Sequence, residues 1–176
     1  MKYSIILITI LVAFTMGCDE VDDLTKQDFT APLEAEFTIN TDSTKHDTTA
    51  VLDAATNKDF MDYKSRIEDV ELQTISYQVV MFDNTQPGDS LKSGKVEFLN
   101  PVTNTYELLS EIRNQPLNQL NVLTFVAFDA VVAAKFVNSY KSDPYKATVR
   151  LNATMNKAPS HFKVAVTTKL KVKVKV

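Results

Sequence analysis

The chain is short of the residues that build reactive centres. Among its 176 residues there is one cysteine, there are two histidines and three glycines, and there is no tryptophan. A lone cysteine forms no internal disulfide. Two imidazoles, His46 and His161, fall short of the three or four N or S ligands of a zinc site. Asp42, His46 and Asp47 would need a ligand from elsewhere, so His46 reads as a solvated loop residue. Phosphate-cradling loops need several close glycines, and Gly88 and Gly94 stand apart. Neither glycine lies in the G-x-S-x-G elbow of a serine hydrolase. Asp83, Asn84 and Asp89 flank a turn with too few oxygens for the six to eight that calcium takes. Tyr77, Tyr106, Tyr140 and Tyr145 are scattered, so no aromatic platform for a glycan is evident. No cofactor is implied.

Charge excludes another class. The net value of −3 argues against a nucleic-acid partner. Its distribution is uneven: Cys18–Glu71 holds fifteen acids and five bases, Leu72–Val176 seven acids and thirteen bases. Such asymmetry marks an oriented surface or acids and bases that pair within the fold.

What the chain does have begins at its start. Lys2, the apolar run Ile5–Phe14 and the small residue Gly17 follow the order of a secretory signal. The run is too short to span a bilayer, which takes roughly 20 apolar residues. Cys18 follows Gly17 directly, and Asp19-Glu20-Val21-Asp22-Asp23 ends the apolar character. Thr15-Met16-Gly17-Cys18 resembles the lipobox of bacterial lipoproteins, with Thr15 where the family usually places Leu. The resemblance implies removal of residues 1–17, lipidation of Cys18 and a membrane partner held through that lipid. The acidic run after Cys18 resembles the signal that sends some lipoproteins to the outer face of the outer membrane; the periplasmic face is the alternative location. It also has the composition of a solvated tether, expected over residues 18–32.

Residues 33–176 are expected to form one domain. Glu34–Ile39 reads as a first strand, Asn40–Thr49 as a polar loop and Ala50–Leu52 as a second strand. Thr56 and Asp59 suggest the start of a helix of about three turns. From Val70 the pattern alternates, and its apolar side switches near Ile75, as a bulge would make it do. The turn at 84–89 and Val96–Leu99 complete a long expected hairpin, Val70–Leu99. Tyr106–Ile112 is a further short element, and Val122–Phe128, apolar on both faces, reads as a buried strand. Asp129 caps a second helix, Ala130–Tyr140, with Pro144 beyond its end.

Two alternating strands close the chain. Ala147–Met155 is one. His161–Val176 is the other, with Phe162, Val164, Val166, Leu170, Val172 and Val174 on one face and Lys163, Lys169, Lys171, Lys173 and Lys175 on the other. At about 3.3 Å per residue it spans roughly 50 Å, so its end is expected to project from the sheet or to pair only at an edge. The lysines then read as guards against aggregation of an exposed strand, with anionic lipid or an acidic partner as the alternative.

The expected fold is mainly β: a two-sheet antiparallel β-sandwich with two short helices over its open ends, after a signal peptide and a flexible tether. Residues 59–176 resemble small β-sandwich lipoproteins of unassigned function, through Tyr63–Val70, the long strand after it and the late helix before two final strands. The expected role is a lipid-anchored binding or structural module with a protein or glycan partner. Two rivals are an accessory subunit of a cell-surface assembly and an enzyme whose site is assembled from distant residues.

Overall fold

A computed structural model describes residues 26–83, 89–158 and 160–175. Eight strands form two antiparallel four-stranded sheets. The first is ordered β1 (Lys26–Thr41), β8 (Ser160–Lys175), β3 (Ile67–Asp83), β6 (Thr124–Val126). The second is ordered β2 (Lys45–Asp53), β7 (Lys146–Met155), β4 (Ser90–Asn100), β5 (Thr105–Pro116). Only β4 and β5 are consecutive strands within one sheet; every other connection crosses the sandwich. This interleaved order is a jelly roll, two Greek keys folded onto one core.

The alternation along each strand supplies that core. Leu33, Phe37 and Ile39 of β1 and Leu170, Val172 and Val174 of β8 turn inward from one sheet. Phe98 of β4 and Val149 and Leu151 of β7 meet them from the other. The expected switch of face in β3 is present: a register shift between Leu72 and Thr74 lets Val70 and Ile75 both point inward.

Several connections differ from the sequence reading. Val70–Leu99 is not a hairpin, because β3 pairs with β8 and β6 while β4 pairs with β5 and β7. Alternation and a turn are common to hairpins and to arches between sheets, so the pattern does not separate the two. Part of that turn, 84–88, lies outside the described residues. β1 begins at Lys26, so 26–32, assigned above to the tether, are strand and pair with the far end of β8. β2 takes in Lys45–Thr49, assigned above to a loop; as an edge strand it tolerates a polar face.

Both helices lie at one end of the sandwich rather than one at each. α1 (Lys58–Tyr63) follows β2 and α2 (Ala130–Val137) precedes β7. Asp53 and Lys146 face each other in the β2–β7 ladder, so both excursions leave from the same level. The Ala54 N–H donates to the Tyr145 carbonyl at 3.1 Å, tying the two connections together. Asn57, not Thr56, caps α1, its side chain accepting from the Phe60 N–H at 2.9 Å. Thr56 donates instead to the Asp53 carbonyl. Asp129 caps α2 as expected, accepting from the Val131 and Val132 N–H groups. Phe136 then stacks edge-on against Phe98 and Tyr140, each at 5.5 Å, and plugs this end.

Scarcity of glycine is met by other residues. Asn104, Asn114 and Tyr145 adopt left-handed backbone with φ of 53°, 52° and 57°. Asparagine tolerates that region, and the Tyr145 ring is braced against Phe60 at 5.7 Å.

Phe136 is fully buried and links α2 to the second sheet. Phe136→Ala is expected to lower unfolding free energy by about 3–5 kcal/mol, checked by denaturant titration. A change within error would show that α2 is not part of the core.

Candidate functional site

Three surfaces carry the side chains of interest: the outer face of the first sheet, a groove beside α2, and the free edge at β6.

The outer face is built on β8. This strand is central in its sheet, paired with β1 from Lys26↔Lys175 to Thr41↔Ser160 and with β3 from Ile67↔Val174 to Asp83↔His161. It neither projects nor ends at an edge, because β1 and β3 are themselves 16 and 17 residues long. The lysines therefore do not guard an open edge. Lys163 reaches Glu36 at 2.6 Å, Lys171 reaches Asp28 at 2.7 Å, and Lys173 reaches Glu71 at 2.7 Å and Asp69 at 3.9 Å. The acids come from the acidic first part of the chain and the bases from the basic second part. The uneven charge distribution is resolved by strand order. The Glu71 carboxylate accepts a hydrogen bond from Lys173 and holds that ammonium above the usual lysine range.

The groove, about 680 Å³, opens between α2 and Asp69–Leu72 of β3. Phe128 and Val131 give it an apolar wall; Asp69, Lys135 and Lys141 give it charge. Lys141 donates to Asp69 at 2.9 Å and Lys135 to Glu107 at 2.8 Å. These hydrogen bonds hold both carboxyl groups below the usual carboxylate range. A general acid or base works best with a pKa near the working pH, and these shifts move the two acids away from it.

The residues singled out from the sequence are spread through the fold. His46 lies in β2 of the second sheet, half-buried, and not in a loop. His161 lies in β8 of the first, its Nδ1 2.6 Å from Asn40 Oδ1. Asp47 lies 3.9 Å from Arg150, and Asp42 is exposed in the turn after β1. Among the described residues no group of three His, Cys, Asp or Glu is placed to hold a metal ion. Asp89 forms an ion pair with Lys157 at 3.4 Å, and Asn84 lies outside the described residues. Tyr77 and Tyr140 are buried, Tyr145 packs on Phe60, and Tyr106 lies under the Arg150 guanidinium at 3.9 Å, so no shared aromatic platform forms. Burial pushes the Tyr140 phenol above its usual range. Cys18 lies outside the described residues.

The third surface reverses an expectation. Val122–Phe128 is not a buried strand: β6 covers only Thr124–Val126, and Val122 is 64%, Leu123 47% and Phe125 60% exposed. Apolarity on both faces signals burial on both sides only when neighbours flank the strand, and β6 pairs with β3 alone. Phe125 sits opposite Ser76 and spreads over the outer face of the sheet.

No protein-family model matches the chain, and no curated protein matches it. Among solved structures, the chain is similar to a protein of Desmodium yellow mottle tymovirus, with 11% identity and a TM-score of 0.40 over 86% of this chain and 89% of that one. It is also similar to a chain of the acid-stable capsid of Helicobacter pylori bacteriophage KHP30, with 17% identity and a TM-score of 0.42 over 86% and 99%. A chain of the empty head of turnip yellow mosaic virus follows, at 10% identity and a TM-score of 0.39 over 85% and 82%. The jelly-roll assignment rests on the strand order of this chain.

The ladder on β8 is testable by charge reversal. Lys163→Gln and Lys171→Gln should each cost less than about 1 kcal/mol, as exposed pairs do. Lys163→Glu and Lys171→Glu set like charges against Glu36 and Asp28, and should lower the melting temperature further. That extra loss should shrink in high salt. Equal melting of the Glu and Gln variants at low salt would contradict the ladder.

Proposed function

We propose that this protein is an exported, lipid-anchored envelope protein whose jelly-roll domain serves as a binding or structural module without catalysis of its own. The observation that carries the reading is Cys18: the one cysteine of the chain, directly after Gly17, behind a cationic start and an apolar run of signal-peptide length. Seven residues, Asp19–Thr25, then separate it from Lys26, where β1 begins. A linker of that length spans at most about 25 Å, so the end of the domain bearing α1 and α2 is held near the bilayer. The acidic run within the linker favours the outer face of the outer membrane.

Contact rather than chemistry is the role the groove and the outer sheet support. Lys135, Lys141, Lys163, Lys171 and Lys173 are engaged in ion pairs, and hydrogen bonds from Lys141 and Lys135 hold Asp69 of the groove and Glu107 beyond it below the usual carboxylate range.

Replacing Cys18 by Ser tests the anchor. The expected result is loss of the protein from the membrane fraction, with release or accumulation of an unprocessed precursor, read by fractionation and intact mass. Membrane attachment that is unchanged would overturn the reading.

A further inference from the structure

The chain enters its domain at a cationic corner. Lys26, where β1 begins, stands opposite Lys175 at the end of β8, and Ile67 at the start of β3 stands opposite Val174. The short helical turn Lys64–Arg66 leads directly into that start. Tyr63 fastens the turn to β1: its ring packs on Phe29 at 5.8 Å, and the Arg66 guanidinium lies 4.9 Å from the ring centre. Arg66 and Lys175 line one open depression of about 450 Å³, in which Glu68 is the one carboxylate. Lys64, Arg66 and Lys175 are all exposed, and none is in an ion pair with a described residue. The other cations of the helical end are: Lys58 pairs with Asp62, Lys141 with Asp69, Lys146 with Asp53 and Lys173 with Glu71.

We propose that the acidic segment 19–23 of this same chain docks on the corner, its carboxylates set against Lys64, Arg66 and Lys175. Charge complementarity and reach select this occupant. Residues 18–25 carry four acids, Asp19, Glu20, Asp22 and Asp23, and no base. The corner presents three cations that no carboxylate of the fold has taken. Asp23 and Asp22 stand three and four residues before Lys26, so both lie within about 14 Å of it however the chain runs. A separate acidic partner would have to displace a segment held there at an effective concentration of about millimolar. Anionic head groups are disfavoured by the same acids, which lie between the corner and any bilayer that holds Cys18. Docking folds the linker under the domain. The domain then sits closer to Cys18 than the full reach of the linker permits, and ionic strength controls how close.

Backbone amide order parameters, measured by NMR relaxation on the full chain in neutral detergent micelles, test this. In about 10 mM salt, Asp22 and Asp23 should lie above about 0.6, the upper bound of flexible backbone. Neutral micelles hold no anionic head group, so order seen there has its source in the chain. In about 1 M salt both residues should fall below that bound. The double variant Lys64→Gln with Lys175→Gln should have the same effect at low salt. It alters two exposed side chains and leaves the Arg66–Tyr63 contact in place, so the order parameters of β3 and β7 should not change. Asp22 and Asp23 below the bound in the wild-type chain at low salt overturn the proposal. So does order that survives both the salt and the variant, and so does order that appears only when an anionic phospholipid is added.

Discussion

The position of β8 between β1 and β3 is the constraint from which the rest of the sandwich follows. The last strand of the chain is driven into the middle of a sheet whose other long members come from its first half. Its inner row, from Phe162 to Val174, is buried along its whole length. Its outer row brings Lys163, Lys171 and Lys173 beside Asp28, Glu36, Asp69 and Glu71. Sixteen residues of alternating Val and Lys would make a hazardous edge. Flanked on both sides, the same strand satisfies its backbone and most of its charge together. Folding of this sheet therefore waits on contacts between the two ends of the chain, a topology of high contact order.

The second constraint is closure at the helical end. Six crossings between sheets leave the two layers joined by their connections, and α1 and α2 fill one end. Phe136, Phe98 and Tyr140 form a chain of edge-on rings there, and the Ala54–Tyr145 backbone bond fastens one connection to the other. With so few glycines, left-handed positions fall to other residues, Asn104 and Tyr145 toward this end and Asn114 toward the opposite one.

Which residues face inward was legible in the sequence, and which strands are neighbours was not. Alternation with a period of two assigns sides, and it did so correctly for β7, for β8 and for the bulge after Leu72. It carries no information on partners, so an arch between sheets read as a hairpin and a central strand read as an edge. The charge asymmetry held the missing clue, because acids early and bases late are what a central β8 requires. β6 misled in the opposite way. An apolar, charge-free stretch suits a buried strand and an unguarded edge equally well, and only the absence of a second neighbour tells them apart. The candidate contact surfaces share this origin: α2 meets β3 across the sandwich end, a proximity that no local pattern encodes. Cys18 is the reverse case: its reading rests on sequence alone, and it lies outside the described residues.

Native-state hydrogen exchange along β8 tests the central placement most directly. A strand paired on both sides to its end predicts slow exchange throughout, with the amides of Val172 and Val174 protected to a degree comparable with Val164 and Val166. Fast exchange beyond Leu170, as in a projecting or edge strand, would contradict it.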